Sequence, residues 1–187
     1  MSIIVNGTTI PNSLGSIKVN NTNVTKVNVV KDGVTTTVWT SQVDDLFING
    51  SFNIQPSSYG EWSIYDGQLY TALHVNEETV VCEGLMVTID VSSINTITVS
   101  FKRQHWGSTD CSSTTKLTAT CGSVSVTKDH HTGDGSSSTD TDNIVLDVST
   151  LTGNQVFKLY TFLNCRDGEP YNWTAEHVYW ISSITFD

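Results

Sequence analysis

The chain has 187 residues, of which 15% are charged, and its formal net charge is −10. Ser and Thr make up about a quarter of the residues, and a composition rich in Ser, Thr and Val but poor in Lys and Glu favours strands over helices. The acidic balance and the lack of a basic stripe argue against a nucleic-acid partner. No apolar run reaches the roughly 18 residues that a membrane span needs, so we expect an all-β protein without membrane insertion.

The chain begins with short alternating segments. Residues 1–10 lack the basic and extended apolar regions of a secretory signal, so we expect a protein made and used from the cytoplasm, or a chain that begins after a removed leader. Residues 2–10 and 16–24 match each other in Ser, Ile, Val, Asn and Thr, and the pairs Asn6-Gly7 and Asn20-Asn21 are turn formers. This repeat predicts short strands joined by tight turns.

A hairpin signal follows the repeat. The pair Asp32-Gly33 lies between two alternating runs of Val and Thr, which is the strongest short-range indication of a two-residue hairpin turn. With that turn, Val29 would lie opposite Thr36 and Val27 opposite Val38. One face of the hairpin would carry a stripe of four valines, Val27, Val29, Val34 and Val38.

Residues 1–41 are therefore predicted to form a small N-terminal β-meander. Units of about 40 residues or fewer usually need disulfides, metals or a partner to fold, and this segment contains neither cysteine nor a metal-binding cluster. We expect the valine stripe to dock onto another protein. The alternative is a plain hairpin packed on its own domain.

The segment from residue 17 to residue 39 resembles a short N-terminal module of tail, baseplate and other structural proteins from phages and prophages of Gram-positive gut bacteria. The matching positions are 17–20, 24–27, Gly33 and the pair Val38-Trp39. In that family the module attaches a variable body to the particle. The resemblance implies a virion structural protein on the surface of the phage particle, assembled in the bacterial cytoplasm. It also implies that the protein is a homo-oligomer in the particle and contacts other virion proteins through this module.

Residues 45–187 have a different composition, and the boundary near 41–45 reads as a linker. All six Phe, all six Tyr and four of the five Trp lie beyond Asp45. Alternating apolar and polar residues predict strands at the spacing of a β-sandwich. The predicted strands cover residues 68–74, 85–91, 96–104, 116–128, 143–149, 155–163 and 177–186.

These strands suggest a particular sandwich. An aromatic-bearing hairpin turns at Asp66-Gly67, paired strands follow, and the long final strand carries Val178, Trp180 and Ile184, which could share a core. This order resembles the galactose-binding-like jelly roll of many carbohydrate-binding modules. The resemblance implies an antiparallel jelly-roll β-sandwich over residues 45–187, with a glycan as a possible ligand.

A glycan site requires exposed aromatic rings beside carboxylates or amides that hold sugar hydroxyls. Loop-like segments provide both kinds of group, with the densest concentration at residues 166–176. The predicted ligand-binding residues are Trp62, Trp106, Glu169, Tyr171, Asn172 and Trp173. In the competing interpretation these aromatic side chains plug the ends of the sandwich.

Residues 128–143 form the longest low-complexity stretch, with adjacent histidines and several aspartates. No calcium-loop template is present, and His130 and His131 would point to opposite sides of an extended backbone. We therefore predict a mobile, solvated loop without a metal; the alternatives are calcium binding or an interaction tip on a particle. The four cysteines lack metal-ligand spacing and are predicted to be mostly buried free thiols, the alternative being a Cys111–Cys121 disulfide.

The sequence contains no nucleophile elbow, zinc-protease motif or phosphate loop, so we expect neither catalysis nor a cofactor. The combined prediction is a phage or prophage virion structural protein that docks through residues 1–41 and displays a β-sandwich for decoration or host-glycan binding. The alternative is a secreted or cell-surface carbohydrate-binding module without catalysis. A small glycoside hydrolase is the third candidate, since scattered glutamates could form a carboxylate pair.

Overall fold

The computed structural model describes residues 3–5, 8–10, 17–19, 22–24, 26–40, 45–76, 79–107, 112–132, 137–166 and 174–187. The contacts of the chain divide it into two compact units, Met1–Asp44 and Asp45–Asp187. Regular structure in the described ranges is β-strand throughout. No helix in these ranges is long and apolar enough to cross a membrane.

The first unit consists of two-stranded antiparallel ribbons. Its strands are β1 (Ile3–Val5), β2 (Thr8–Ile10), β3 (Ile17–Val19), β4 (Thr22–Val24), β5 (Lys26–Lys31) and β6 (Val34–Thr40). The pairs are β1–β2, β3–β4 and β5–β6. Ile3 lies opposite Ile10 and Ile17 lies opposite Val24, so the internal sequence repeat folds into two ribbons with equivalent pairing.

The predicted turn of the β5–β6 ribbon is confirmed. Asp32 and Gly33 both have positive φ, 53° and 77°, as the type I′ turn requires. Val29 lies opposite Thr36 as predicted, but Val27 lies opposite Trp39 because a bulge leaves Val38 without an opposite residue. The predicted pairing of Val27 with Val38 is therefore wrong.

Only part of the predicted valine stripe can be followed. Val34 is 64% exposed, and Val30, on the other face of the ribbon, is 67% exposed. The side chains of Val27, Val29 and Val38 lie outside the described part of the chain. The ribbon thus presents a valine to solvent on each of its faces next to the turn.

The second unit is an antiparallel β-sandwich, which confirms the predicted fold class. Its strands are β7 (Phe47–Ile48), β8 (Ser51–Phe52), β9 (Ser63–Tyr65), β10 (Gln68–Asn76), β11 (Thr79–Cys82), β12 (Met86–Asp90), β13 (Thr96–Gly107), β14 (Ser112–Cys121), β15 (Val124–Thr132), β16 (Ser137–Asp147), β17 (Asn154–Arg166) and β18 (Thr174–Phe186). The larger sheet has the order β16-β13-β18-β10-β9, with β7 on β18 and β8 on β7. The smaller sheet has the order β11-β17-β14-β15, with β12 also on β17.

Two predicted elements are wrong in the same region. The single strand predicted over residues 116–128 is the hairpin of β14 and β15, which turns at Gly122 with φ +54°. The predicted loop over residues 128–143 belongs largely to β15 and β16. Asp is a weak strand former, but Thr favours strands, and pairing of β16 along β13 outweighs the effect of the aspartates.

A β-bulge in β18 changes which side chains share a face. Ser100 pairs with Ser183 whereas Phe101 pairs with Ile181, so Ser182 is the extra residue. Ile184 is fully buried, but Trp180, at the same parity in the sequence, is on the opposite face and partly exposed. The prediction that Trp180 shares a core with Ile184 is wrong, because one inserted residue reverses the alternation.

The cysteines follow the prediction in part. Cys82 and Cys121 are free and buried, and burial is the main reason that their thiol pKa values are raised. Because Cys121 is free, the alternative Cys111–Cys121 bridge is not formed. Cys165 is disulfide-bonded, and its partner lies outside the described residues.

Candidate functional site: an aromatic face on the larger sheet

The outer face of the larger sheet carries aromatic side chains in adjacent strands. Directly opposite residues of antiparallel strands share a face, and Tyr70 lies opposite Trp180, which lies opposite Lys102. The inward neighbour of Trp180, Tyr179, is completely buried. Tyr70, Trp180 and Lys102 therefore point away from the sandwich core, into solvent.

These side chains contact one another across four strands. The ring centroids of Tyr65 and Tyr70 are 5.6 Å apart, and those of Tyr70 and Trp180 are 5.9 Å apart. The Lys102 ammonium lies 5.0 Å from the centroid of the Trp180 ring, a cation–π distance. We call this set, Tyr65, Tyr70, Trp180 and Lys102, the aromatic strip. Its members stand on paired strands, which hold them more rigidly than loops would.

A pocket lies beside the aromatic strip and is bordered by Ser182, the extra residue of the bulge. Its volume is about 310 Å³, at the lower end of the range for small-molecule sites. It is lined by Gln68, Ser100, Phe101, Lys102, Thr141, Asp142, Asn143 and Ser182. Side-chain amides, hydroxyls and an ammonium therefore surround a space adjoining aromatic rings.

Asp142 lines the pocket but lies opposite the buried Phe101, so its carboxylate is directed to the inner face of the sheet. The backbone N–H of Asn143 donates a hydrogen bond to Asp142 Oδ1 over 2.7 Å, and Lys128 Nζ lies 3.2 Å from Asp142 Oδ2. These contacts, the backbone hydrogen bond first, lower the pKa of Asp142. This carboxylate is therefore engaged by Lys128 of the smaller sheet, and the side chains that the pocket offers on the outer face are amides, hydroxyls and the Lys102 ammonium.

Trp106 lies further along the same face. It is four residues from Lys102 in β13, which places it about 13 Å away at the usual rise of a strand. Trp106 is 49% exposed and lies opposite Glu176, which in turn lies opposite His74. The outer face thus continues from the aromatic strip to a second exposed ring with a carboxylate beside it.

The other predicted ligand-binding residues are not on this face or cannot be placed. Trp62 is only 4% exposed, and its indole packs so close to Gly84 that a Cβ there would approach the ring to 2.7 Å. The prediction that Trp62 binds glycan is corrected: its ring is in the core. Glu169, Tyr171, Asn172 and Trp173 lie outside the described residues.

Sequence reasoning missed Tyr65, Tyr70 and Trp180. Part of the signal was present in the sequence. Tyr70 directly follows Leu69, and Trp180 directly precedes Ile181, and both of these neighbours are fully buried. Alternation next to Leu69 is enough to place Tyr70 on the outer face, but for Trp180 alternation with Ile184 gives the wrong face because of the bulge. The pairing of β10 with β18, which makes them neighbours, is a tertiary property.

The outer face of the smaller sheet differs in chemistry. It also has a pocket of about 310 Å³, lined in part by Val81, Met86 and Tyr160 together with Glu83 and Lys158. Val81 is 58% exposed and Met86 is 37% exposed. Aliphatic side chains dominate here, whereas aromatic rings in mutual contact dominate the outer face of the larger sheet.

Comparison with known proteins gives distant structural likenesses. No protein-family model and no curated protein sequence matches the chain. A chain from a structure of infectious bursal disease virus, Gx strain, is similar with TM-score 0.40 and 14% identity; the match covers 82% of this chain and 37% of the viral one. A carbohydrate-binding module of the β-sandwich superfamily, from work on promiscuous specificity, is similar with TM-score 0.28 and 12% identity, over 87% of this chain and 72% of the module.

Proposed function

We propose that this chain is a non-catalytic glycan-binding protein of a phage or prophage particle, in which residues 45–187 bind the glycan and residues 1–41 attach to the particle. The observation that carries the glycan-binding part is the aromatic strip beside a polar pocket on an exposed sheet face. Aromatic rings cover the apolar C–H faces of sugars, and the surrounding amides and hydroxyls pair with sugar hydroxyls.

The charge of the protein and the length of the face narrow the ligand class. A net charge of −10 repels polyanionic polysaccharides over long distances, so the ligand is a neutral glycan. The strip and Trp106 lie on one face about 13 Å apart. That spacing suits an extended chain of several sugar units better than a single terminal sugar.

The attachment part rests on the resemblance of the first unit and on its exposed valines. An isolated two-stranded hairpin is marginally stable in water, and each described ribbon pairs only with itself. Val30 and Val34 are exposed. Burial of these valines and strand addition at the ribbon edges would supply what the ribbons lack, with other virion proteins as partners and the assembled particle as a homo-oligomer.

The glycan-binding part is tested on an array of neutral bacterial glycans with the full chain. Trp180→Ala and Tyr70→Ala should each weaken binding at least tenfold, because each removes a stacking ring. Tyr160→Ala, on the outer face of the smaller sheet, is the matched control and should bind like the wild type. Equal binding by all variants, or release of reducing sugar from the bound glycan, would contradict a non-catalytic site at the strip.

The attachment part is tested by incorporation into particles. Val29→Asp should abolish incorporation while residues 45–187 stay folded, because the charge prevents burial of the ribbon. Thr88→Asp, at an exposed position of β12 in the other unit, is the control and should be incorporated normally. Particles that carry a normal amount of the Val29→Asp protein would refute docking through the ribbon.

One observation favours the second candidate, a secreted or cell-surface carbohydrate-binding module. Cys165 is disulfide-bonded, and disulfides persist mainly outside the reducing cytosol. The two candidates share the glycan site and differ in the attachment. Glycan binding by a protein that is never found in particles would favour the secreted module.

A further inference from the structure

Two histidines face each other inside the sandwich. His105 of β13 lies opposite His177 of β18, and each is 1% exposed. His105 Nδ1 lies 2.5 Å from His177 Nε2, and Ser113 Oγ of β14 lies 3.2 Å from the same His177 nitrogen. A direct bond between two imidazoles requires that one nitrogen donates a proton and the other accepts it.

A third histidine reaches the pair from the smaller sheet. His130 of β15 has its ring centroid 6.3 Å from that of His105 and 6.3 Å from that of His177. Its Nε2 lies 3.2 Å from Ser138 Oγ of β16. The histidine cluster, His105, His130 and His177, therefore spans both layers. Among the described residues, His105 Nε2 and His177 Nδ1 are buried without a hydrogen-bond partner.

The charges around the cluster are already paired. Arg103, next to His105 on the inner face of β13, donates two hydrogen bonds to Asp140 of β16, over 2.6 and 2.9 Å. Asp140 Oδ2 is also 4.0 Å from His130 Nδ1. On β15, Lys128 pairs with Asp142 of β16, and His131 adds a further titratable group that is exposed.

The remaining elements around the cluster contribute no described carboxylate. β14 presents Ser113 and Thr115. Thr115 Oγ1 lies 2.9 Å from the hydroxyl of Tyr179 of β18. Burial raises the pKa of Tyr179 to about 12. β17 presents Cys165, which lies opposite Ser113. The Cys165 sulfur does not titrate because it is disulfide-bonded. β10 presents Leu73 opposite His177. A charge gained by His105 or His177 would therefore meet Arg103 and no free carboxylate, and one gained by His130 would have to share Asp140 with Arg103.

The pKa values agree with this geometry. Burial, followed by the neighbouring His130, lowers the pKa of His105 to about 4. Burial, followed by His105, His130 and Arg103, lowers the pKa of His177 to about 3. The pKa of His130 is lowered by burial and by Arg103, against the opposing effect of Asp140. All three imidazoles are neutral in the folded protein at neutral pH.

We propose that the histidine cluster is an acid-sensitive latch: in mildly acidic solution its protonation separates β13, β18 and β15 at this end of the sandwich, while the other end stays closed. Proton uptake requires opening, because a buried imidazolium beside Arg103 has no free carboxylate to pair with. Trp106 directly follows His105 in β13, and Glu176 directly precedes His177 in β18. Both residues lie on the outer face, so the opening also displaces this end of the outer face.

Hydrogen exchange of the full chain at pH 7.4 and pH 5.0, corrected for intrinsic rates, tests the latch. Amides of residues 101–107 and 174–179 should exchange at least tenfold faster at pH 5.0, while residues 144–147 and 157–159 stay protected. The double variant His105→Gln/His177→Gln should lose this difference, and His131→Gln, at an exposed position, should keep it. Unchanged protection of the wild type at pH 5.0, or a retained acid response in the double variant, would overturn the proposal.

Two further measurements keep the test decisive. If the double variant does not fold, His130→Gln, at a less buried position, should fold and shift the onset of opening to lower pH; an unchanged onset counts against the latch. Zinc added at pH 7.4 should not protect residues 101–107. Zinc-dependent protection that is lost in His130→Gln would show a metal site and would overturn the latch. None of these readouts involves a glycan, so the latch and the glycan site can fail independently.

Discussion

The two ends of the sandwich interior are built from the same strands but from opposite chemistry. At one end the strands β13, β16 and β17 contribute apolar side chains that are completely buried: Ile97, Val99, Leu146 and Phe157. At the other end β13 continues with Arg103 and His105. Apolar burial is indifferent to pH, whereas the polar end is stable only while its imidazoles stay neutral. One continuous fold thus combines an end whose stability does not depend on pH with an end whose stability does.

The largest effect should come from the apolar end. Phe157→Ala removes a fully buried ring and should lower the free energy of unfolding by about 3–5 kcal/mol. Phe162→Ala, on the outer face of the same strand and partly exposed, should cost clearly less. Urea unfolding followed by tryptophan fluorescence measures both. Equal losses would mean that the apolar end does not carry the stability assigned to it.

The polar end should respond to acid. Histidines at a pKa of about 3–4 in the fold and about 6.5 in the unfolded chain bind more protons when unfolded. Their neutral forms therefore contribute fully to the free energy of unfolding above pH 6.5, and this contribution is lost as the pH falls. At pH 5 the loss is about 2 kcal/mol for each of His105 and His177. Phe157→Ala should lower the whole stability profile without changing this slope. A flat profile between pH 7 and pH 5 would remove the contrast between the ends.

A smaller effect is expected from the ion pair at the polar end. Asp140→Asn leaves Arg103, whose side chain is 12% exposed, without its carboxylate. Because Asp140 itself is 41% exposed, solvent screens part of the loss, and we expect about 1–2 kcal/mol at pH 7. Asp129→Asn, in the exposed pair with Lys116, should change the unfolding midpoint little. A cost for Asp129→Asn as large as that for Asp140→Asn would show that burial does not distinguish the two pairs.

Several elements follow from local sequence. Asp32-Gly33 specifies its turn because both residues tolerate positive φ, and the repeat of residues 2–10 at 16–24 specifies two equivalent ribbons. Several of the longer strands of the sandwich, such as β12, β13 and β17, follow from the alternation of apolar and polar residues. The strand nature of residues 137–143 does not, because the aspartates weaken the local preference and pairing with the long strand β13 outweighs it.

The amino-acid sequence by itself determined the all-β class, the hairpin turn at Asp32 and most strands of the larger unit, because propensity, turn geometry and alternation act over a few neighbouring residues. Only the tertiary structure decided which rings face solvent, since one bulge at Ser182 turns Trp180 outward and Ile184 inward. It also brought together His105, His130 and His177, up to 72 residues apart. Such contacts depend on strand pairing and sheet packing, which no local pattern encodes.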